Sequence, residues 1–288
     1  MDFGKLIFSI AYNMTGDSEL SKDVVQDIHL KFLENPIPAT ISDERNYVIR
    51  ATINHCINLK KRQERMHYKG LWLPEPFVSS SESFHAHARF ETQNLLSYEL
   101  AFLMEQLSPA ERAVFILKEA FDYSHKEIAE AIHISVENSR QLYTRSKKKI
   151  SNRKHKSLAN TVSLETAKNF IALINQGDQE ALIDLFNDDI SLLADGGGKA
   201  PSIVKPLFGK AQIAQFFIKL TRSTNLVPQF SFTEILSQPG IVIQLNKEII
   251  GVQILCLQEN KISQIFAVLN PDKLKSFKKD FQMLSRNA

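Results

Sequence analysis

Hydrophobic residues recur at helical spacing through the first 69 residues of the chain. The first repeat predicts a helix that ends at Gly16, and the second predicts a helix that Ser21 caps and that Asn35 and Pro36 stop. A third repeat runs from about Glu44 into the basic segment 60–65. Residues 1–69 are therefore expected to form an all-helical domain.

A second all-helical region is predicted around residues 107–150. Ser124 and Glu127 have the S-x-x-E spacing of a capping box, in which each side chain accepts a hydrogen bond from an orphan backbone N–H at the helix start. Residues 133–135 interrupt the helical repeat, and Ser135 can cap the helix that follows. Two capped helices joined by so short a turn are typical of a DNA-binding helix-turn-helix.

The last helix of this region has two different faces. Helical spacing turns Ser139, Leu142, Ser146 and Ile150 inward. The outward side chains are amides, hydroxyls and cations, which can pair with adenine edges or neutralise phosphates. The predicted DNA-binding residues on this helix are Asn138, Arg140, Gln141, Thr144, Arg145 and Lys148. The alternative is a solvated amphipathic helix that ends in a favourable cluster of positive charge.

The remaining chain changes its pattern twice. Residues 70–94 are rich in proline and serine and predict an extended linker before a helix-turn-helix domain at 95–156. From residue 161, three helical repeats are expected up to Gly177, over 179–186 and over 211–221. Four β-branched segments then predict strands at 230–236, 241–245, 249–257 and 262–269. Helices followed by a strand meander indicate an α+β domain at 161–288, with helices on one face of a curved antiparallel sheet.

Composition and charge narrow the class of protein. The formal net charge is only +3, so a nucleic-acid surface requires local clustering, and residues 140–156 carry eight cations and no acid. Cys56 and Cys256 are too few for a disulfide framework or a four-ligand zinc site, and no cofactor is expected. No signal peptide and no apolar run of about 18 residues is found, which indicates a reducing, cytoplasmic location without a membrane partner.

The helical part resembles the extracytoplasmic-function sigma factors. Residues 107–150 are similar to their fourth-region domain, which reads the promoter −35 element, and residues 1–69 to their second-region domain. The resemblance implies that Asp23, Gln26 and Asp27 dock on the coiled coil of the β′ subunit of core RNA polymerase. It also implies that the third helix engages the −10 element of promoter DNA. The residues expected to do so are Asn54, Asn58, Lys60, Lys61, Arg62 and Arg65.

The C-terminal part resembles the SnoaL-like, nuclear-transport-factor-2-like cone that a subgroup of these sigma factors carries as an extension. Three short motifs support the resemblance, and we expect them to meet in a regulatory contact between the linker and the cone. Glycines permit the close backbone approach that such a contact needs. The residues of the three motifs are Trp72, Leu73 and Pro74; Asp195, Gly196, Gly197 and Gly198; and Asn270, Pro271, Asp272, Lys273 and Leu274.

Two rival functions remain open. A DNA-binding regulator with a ligand-sensing domain needs no polymerase, and the acidic patch argues against it. An enzyme on the cone fold could use Asp195 as a base, but every His and Tyr lies before residue 161, which leaves Asp195 without an electrophilic partner. A cone interior lined by Leu, Ile, Phe and Val could still hold a small apolar ligand.

Overall fold

The computed structural model describes residues 3–63, 68, 70–77, 97–151, 164–223, 227–236 and 238–287. The chain divides into two compact units. The helical unit comprises Met1–His67 and Ser80–Arg153, and the α+β unit comprises Tyr68–Ser79 and Lys154–Ala288. The described part of the predicted linker, residues 70–77, thus belongs to the α+β unit.

The helical unit contains seven helices within the described residues. They are α1 (Gly4–Thr15), α2 (Ser18–Glu34), α3 (Glu44–Gln63), α4 (Tyr98–Met104), α5 (Pro109–Phe121), α6 (His125–Ile132) and α7 (Val136–Ser151). Gly16 ends α1 in the left-handed conformation, with φ 69°, as expected. The cap predicted at Ser21 is wrong, because Asp17 caps α2 by accepting from Leu20 N at 2.8 Å. Ser21 lies in the first turn and donates to the Asp17 carbonyl.

One hydrophobic core joins the helices on both sides of the undescribed segment 78–96. Ile7, Ile53 and Ile116 are each fully buried and belong to the same cluster, although they come from α1, α3 and α5. Side chains from α6 and partly buried side chains of α7 complete it. The helices predicted to engage two separate promoter elements therefore pack together in one unit.

The α+β unit contains four helices and one six-stranded sheet within the described residues. The helices are α8 (Leu164–Gln176), α9 (Gln179–Leu185), α10 (Lys210–Ser223) and α11 (Leu274–Asn287). The strands are β1 (Phe186–Asp195), β2 (Leu207–Phe208), β3 (Gln229–Ile235), β4 (Gln238–Leu245), β5 (Glu248–Gln258) and β6 (Lys261–Val268). The sheet order is β2-β1-β6-β5-β4-β3. The four predicted strands correspond to β3–β6.

Two features of this unit differ from the prediction. The sheet is antiparallel as expected except at one pair, because β1 pairs in parallel with β6 while all other pairs are antiparallel. The sequence pattern missed β1, in which the polar run Asn187, Asp188 and Asp189 precedes the buried residues from Ile190 onward. It also missed the C-terminal helix α11, which buries Phe277.

Helices α8 and α10 pack against one face of the sheet. Phe170, Phe217 and Leu255 meet there in a core of buried residues, and the rings of Phe170 and Phe217 lie edge to face at 5.2 Å. In the part of the chain described above, no helix is long and apolar enough to cross a membrane. The same residues contain no group of three or more His, Cys, Asp or Glu side chains that could hold a metal ion.

Candidate nucleic-acid interface and a buried carboxylate cluster

The helix-turn-helix forms as its caps predict. Ser124 Oγ accepts from Glu127 N at 3.2 Å, and Glu127 Oε2 accepts from Ser124 N at 2.7 Å, which confirms the capping box. His133 ends α6 in the left-handed conformation, with φ 56°. Ser135 Oγ then accepts from Asn138 N at 3.1 Å and begins α7. A turn of three residues therefore sets the direction of α7 relative to α6.

The two faces of α7 are those that its periodicity predicts. Ser139 and Ser146 are fully buried, and Leu142 and Ile150 pack against the core. Ser139 can be buried because its hydroxyl lies 2.9 Å from His125 Nδ1, in hydrogen-bond contact. The outward residues are all exposed, namely Asn138, Arg140, Gln141, Thr144, Arg145 and Lys148. This face offers amide and cationic groups to a partner without any rearrangement of the helix.

The surface of α3 that was predicted to bind DNA is partly covered by contacts with other parts of the helical unit. Asn54 is half-buried and donates through Nδ2 to the carbonyl of Ala131 at 2.8 Å, at the end of α6. Lys60 Nζ lies 2.9 Å from Glu105 Oε2, just after α4. Asn58 and Lys61 are exposed. The helix backbone includes Arg62, whose side chain is not described, and Arg65 lies outside the described residues.

A buried arginine connects the helices that precede segment 78–96 with the helices that follow it. Arg112 of α5 is 1% exposed; its Nε donates to the Asn13 carbonyl of α1 at 2.6 Å, and its Nη1 pairs with Glu105. Arg112 Nη2 and Asn13 Oδ1 are buried and have no hydrogen-bond partner in the part of the chain that the structure describes. Glu105 therefore joins two cations, Arg112 and Lys60, in a polar cluster that is incompletely satisfied.

The predicted polymerase-binding residues lie on one side of α2. Asp23, Gln26 and Asp27 are exposed, whereas Val24 and Ile28 of the same helix are buried in the core. This alternation follows from the helical repeat. It leaves an acidic surface on α2, and within it Asp27 Oδ2 also lies 3.1 Å from His55 Nε2 of α3.

A cluster of hydrogen-bonded groups, centred on the carboxylate of Asp195, lies at the end of β1 in the α+β unit. Asp195 is 1% exposed, and each carboxylate oxygen accepts two hydrogen bonds. Oδ2 accepts from Leu73 N at 2.9 Å and from Lys273 Nζ at 2.7 Å. Oδ1 accepts from Tyr68 OH at 2.5 Å and from Gly197 N at 2.9 Å. The buried charge is thus paired and fully hydrogen-bonded, which offsets its loss of hydration.

Lys273 connects all three sequence motifs. Its Nζ pairs with Asp195, donates to the Leu73 carbonyl, and lies 3.7 Å from the ring centroid of Trp72. Such a position over an aromatic face is favourable for a cation. Leu73 is fully buried and Pro74 is also buried. The structure therefore brings the Trp72, Asp195 and Lys273 segments together.

Glycines allow the Asn270 segment to approach the loop after β1. A Cβ on Gly197 would overlap the Asn270 side-chain amide, and one on Gly196 would overlap the Ala200 carbonyl. Gly197 and Gly198 have φ values of 60° and 69°, in the left-handed region that glycine favours. Asp272 pairs with Lys199 at the loop surface, and its pKa lies below the usual range because of that hydrogen bond. Pro271 precedes it, and Leu274 is buried at the start of α11.

Tyr68 overturns one argument made from the sequence. The position of every tyrosine before residue 161 suggested that Asp195 had no such partner, but Tyr68 belongs to the α+β unit and donates to Asp195. Asn270 Nδ2 in turn lies 2.9 Å from the Tyr68 hydroxyl. Burial, together with the hydrogen bond to Asp195, raises the pKa of Tyr68.

Known sigma factors are similar to this chain in sequence. Residues 97–150 match the family Sigma-70, region 4. The ECF RNA polymerase sigma factor SigJ of Mycobacterium tuberculosis is 26% identical over 222 residues, which are 75% of this chain and 70% of that protein. The probable ECF RNA polymerase sigma factor SigI of the same organism is 25% identical over 278 residues, covering 93% of this chain and 91% of SigI.

A crystal structure has the same fold over nearly the whole chain. The extracytoplasmic function sigma factor SigJ of Mycobacterium tuberculosis superposes with a TM-score of 0.75 at 21% identity, covering 94% of this chain and 95% of that one. The similarity therefore extends from the helical unit, with its region 4, through the α+β unit. The chain is therefore similar to extracytoplasmic-function sigma factors over both of its units, and its residues 97–150 match region 4 of the Sigma-70 family.

Proposed function

We propose that this protein binds core RNA polymerase and directs it to promoters with two recognised elements, and that its α+β unit modulates this activity. The observation that carries the proposal is the exposed amide and cationic face of α7, presented by a capped three-residue turn within a region 4 sequence. Asn138 and Gln141 are positioned to pair with base edges of the −35 element. Arg140, Arg145 and Lys148 neutralise phosphates, and Thr144 adds a hydroxyl donor.

Transcription in vitro tests this function. Purified core polymerase, this chain and a library of genomic fragments should yield discrete start sites. Gln141→Ala should change which −35 bases are preferred, whereas Lys148→Ala should weaken binding to all sequences and flatten its salt dependence. A chain that yields start sites only when another sigma factor is added is a simple regulator, and the proposal fails.

The polymerase contact is assigned to Asp23, Gln26 and Asp27, which would bind the β′ coiled coil. The exposure of these residues beside the buried Val24 and Ile28 supports the assignment. Reversing both carboxylates to lysine should abolish co-purification with core polymerase. Glu34→Lys, at the exposed end of the same helix, is the control for the effect of a single charge reversal. Equal retention of polymerase by the double variant and the control would contradict this assignment.

Promoter binding requires α3 to leave its present contacts. Asn54 and Lys60 are assigned to the −10 element together with Asn58, Lys61, Arg62 and Arg65. The first two are held by Ala131 and Glu105. We infer that this conformation is a closed state, and that binding of polymerase and DNA stabilises an open one.

Regulation is assigned to the cluster of Trp72, Asp195, Asn270 and Lys273. It holds the segment that follows α3 closely in the chain, and so restrains where α3 can move. Trp72→Ala should therefore shift promoter output in the same direction as deletion of residues 161–288. Output that responds to the deletion but not to Trp72→Ala would show that the extension acts by another route.

A further inference from the structure

A cavity of about 490 Å³ lies in the α+β unit, away from the Asp195 cluster. Its size falls within the range of small-molecule sites, which is roughly 300–1,000 Å³. Helices α8 and α10 and strands β3, β4 and β5 surround it. The body of the cavity is apolar, with Ile171, Ile174, Phe217, Phe230 and Ile243 among its lining residues.

The lining contains the expected Ile, Leu, Phe and Val side chains and also polar ones. Gln253 of β5 lines the cavity and is 8% exposed, and its Oε1 has no hydrogen-bond partner among the described residues. It lies opposite Ile241 in β4 and Ala267 in β6, at a position where neighbouring strands contribute core side chains. A buried amide oxygen without a partner costs about 1–3 kcal/mol, so its presence here calls for an explanation.

The charged group that lines the cavity is a cation. Arg222 of α10 lines the cavity and is exposed, and no acidic residue lines it. Gly177, which follows α8, leaves room for the guanidinium, because a Cβ there would lie 3.0 Å from Arg222 Nη2. Within the described residues Arg222 makes no ion pair. A cation at the mouth of an apolar cavity favours an anionic group on whatever enters it.

We propose that this cavity binds an amphipathic organic anion, with its apolar body between α8, α10 and the sheet, its acidic group at Arg222, and a hydrogen-bonding group at Gln253. The Gln253 amide can accept a hydrogen bond from the ligand or donate one to it, because rotation exchanges the positions of its oxygen and nitrogen. Binding at this site does not depend on polymerase or DNA, and it can be measured on the full chain alone.

A matched pair of probes tests the proposal. 8-Anilinonaphthalene-1-sulfonate and N-phenyl-1-naphthylamine share an aromatic body, and only the first is charged. We expect the anion to bind about threefold more tightly than the neutral probe, which is the contribution of one exposed ion pair. That advantage should disappear at high salt and in Arg222→Gln, and persist in Lys219→Gln, which removes an exposed cation of the same helix outside the cavity.

Variants at two further positions, Ile243 and Gln253, locate the site. Ile243→Trp fills the cavity and should remove most binding of both probes. If this variant does not fold, the smaller substitution Ile243→Phe takes its place and should remove part of the binding. Gln253→Leu should raise the Tm of the free protein, because it removes an unpaired buried amide. Equal affinity for the two probes, unchanged binding after filling, or a lower Tm for Gln253→Leu would each overturn the proposal.

Discussion

Two buried polar clusters of this protein differ in how completely they are satisfied. In the α+β unit, both oxygens of Asp195 accept two hydrogen bonds each, and Lys273 bonds to Asp195 and Leu73. In the helical unit, Glu105 joins Arg112 and Lys60, but Arg112 Nη2 finds no hydrogen-bond partner within the described ranges. A saturated cluster is costly to separate, whereas an incompletely satisfied one loses less when water reaches it. We infer that the first cluster is permanent and that the second is built to open.

The largest expected effect comes from breaking the saturated cluster. Lys273→Met leaves the Asp195 charge buried without its cation, which should lower the free energy of unfolding of the α+β unit by about 3–5 kcal/mol. Urea denaturation followed by the fluorescence of Trp72, the only tryptophan, measures this unit. Lys199→Met is the control, because its partner Asp272 is exposed and little should change. Similar losses for the two variants would remove the distinction between the clusters.

A second effect concerns a buried charge of the helical unit. Glu99 is 6% exposed, and burial raises its pKa to about 7. The raised pKa means that folding favours the neutral acid. Its contribution is present below the unfolded pKa of about 4.5 and is lost as the pH rises through 7.

The free energy of unfolding of the helical unit should therefore fall by about 3 kcal/mol between pH 4.5 and pH 8. Glu99→Gln should remove this fall, and the exposed Glu130→Gln should not. Backbone hydrogen exchange of α4 and α5 at pH 5 and pH 8 measures the difference. Parallel pH profiles for Glu99→Gln and the parent protein would reject the assignment to Glu99.

A smaller effect is expected from opening the incomplete cluster. Glu105→Gln weakens the pairs with Arg112 and Lys60 and should cost the helical unit about 2 kcal/mol. It should also increase the affinity for single-stranded −10 DNA, because the closed state is less populated. Asp122→Asn, which alters an exposed acid, is the control. Loss of stability without a gain in DNA affinity would mean that the cluster supports the fold alone.

The smallest effect separates two neighbouring lysines. Lys60→Gln removes the pair with Glu105 and should lower stability by about 1 kcal/mol or less, whereas the exposed Lys61→Gln should leave it unchanged. If both contact phosphates, each substitution should reduce the slope of log affinity against log salt by about 1. Titration of promoter DNA at several salt concentrations checks this, and an unchanged slope for both would exclude the phosphate role.

The sequence predicted the surface of α7 better than that of α3. Periodicity and caps identify which side of a helix turns outward, and for α7 solvent covers that side. Asn54 lies on a correctly placed helix, but the group that covers it, the Ala131 carbonyl, comes from 77 positions away. The same limit applies to Arg112, whose burial depends on a carbonyl of α1 and a carboxylate after α4. Local patterns contain no information about such distant partners.

The α+β unit shows the same limit for strands. The apolar, β-branched strands β3–β6 were recognised, while the polar start of β1 concealed a strand whose pairing partner is β6. The three motifs were identified by resemblance, and the structure supplies their chemistry through Asp195 and Lys273. Tyr68 was missed because its role follows from packing on a unit that is distant in the sequence.

The separation of Leu73 and Lys273 by 200 positions also determines the order in which the newly made chain can fold. Synthesis proceeds from the N-terminus, so every helix of the helical unit is complete before β6 and Lys273 exist. Until then β1 lacks its parallel partner, and Asp195 lacks both its cation and the backbone amides of Leu269 and Asn270 that bond to its carbonyl. Pairing across so long a stretch of chain is slow to form. Each new molecule therefore passes through a stage in which the helices that we assign to promoter DNA have been made and the segment after α3 is not yet held.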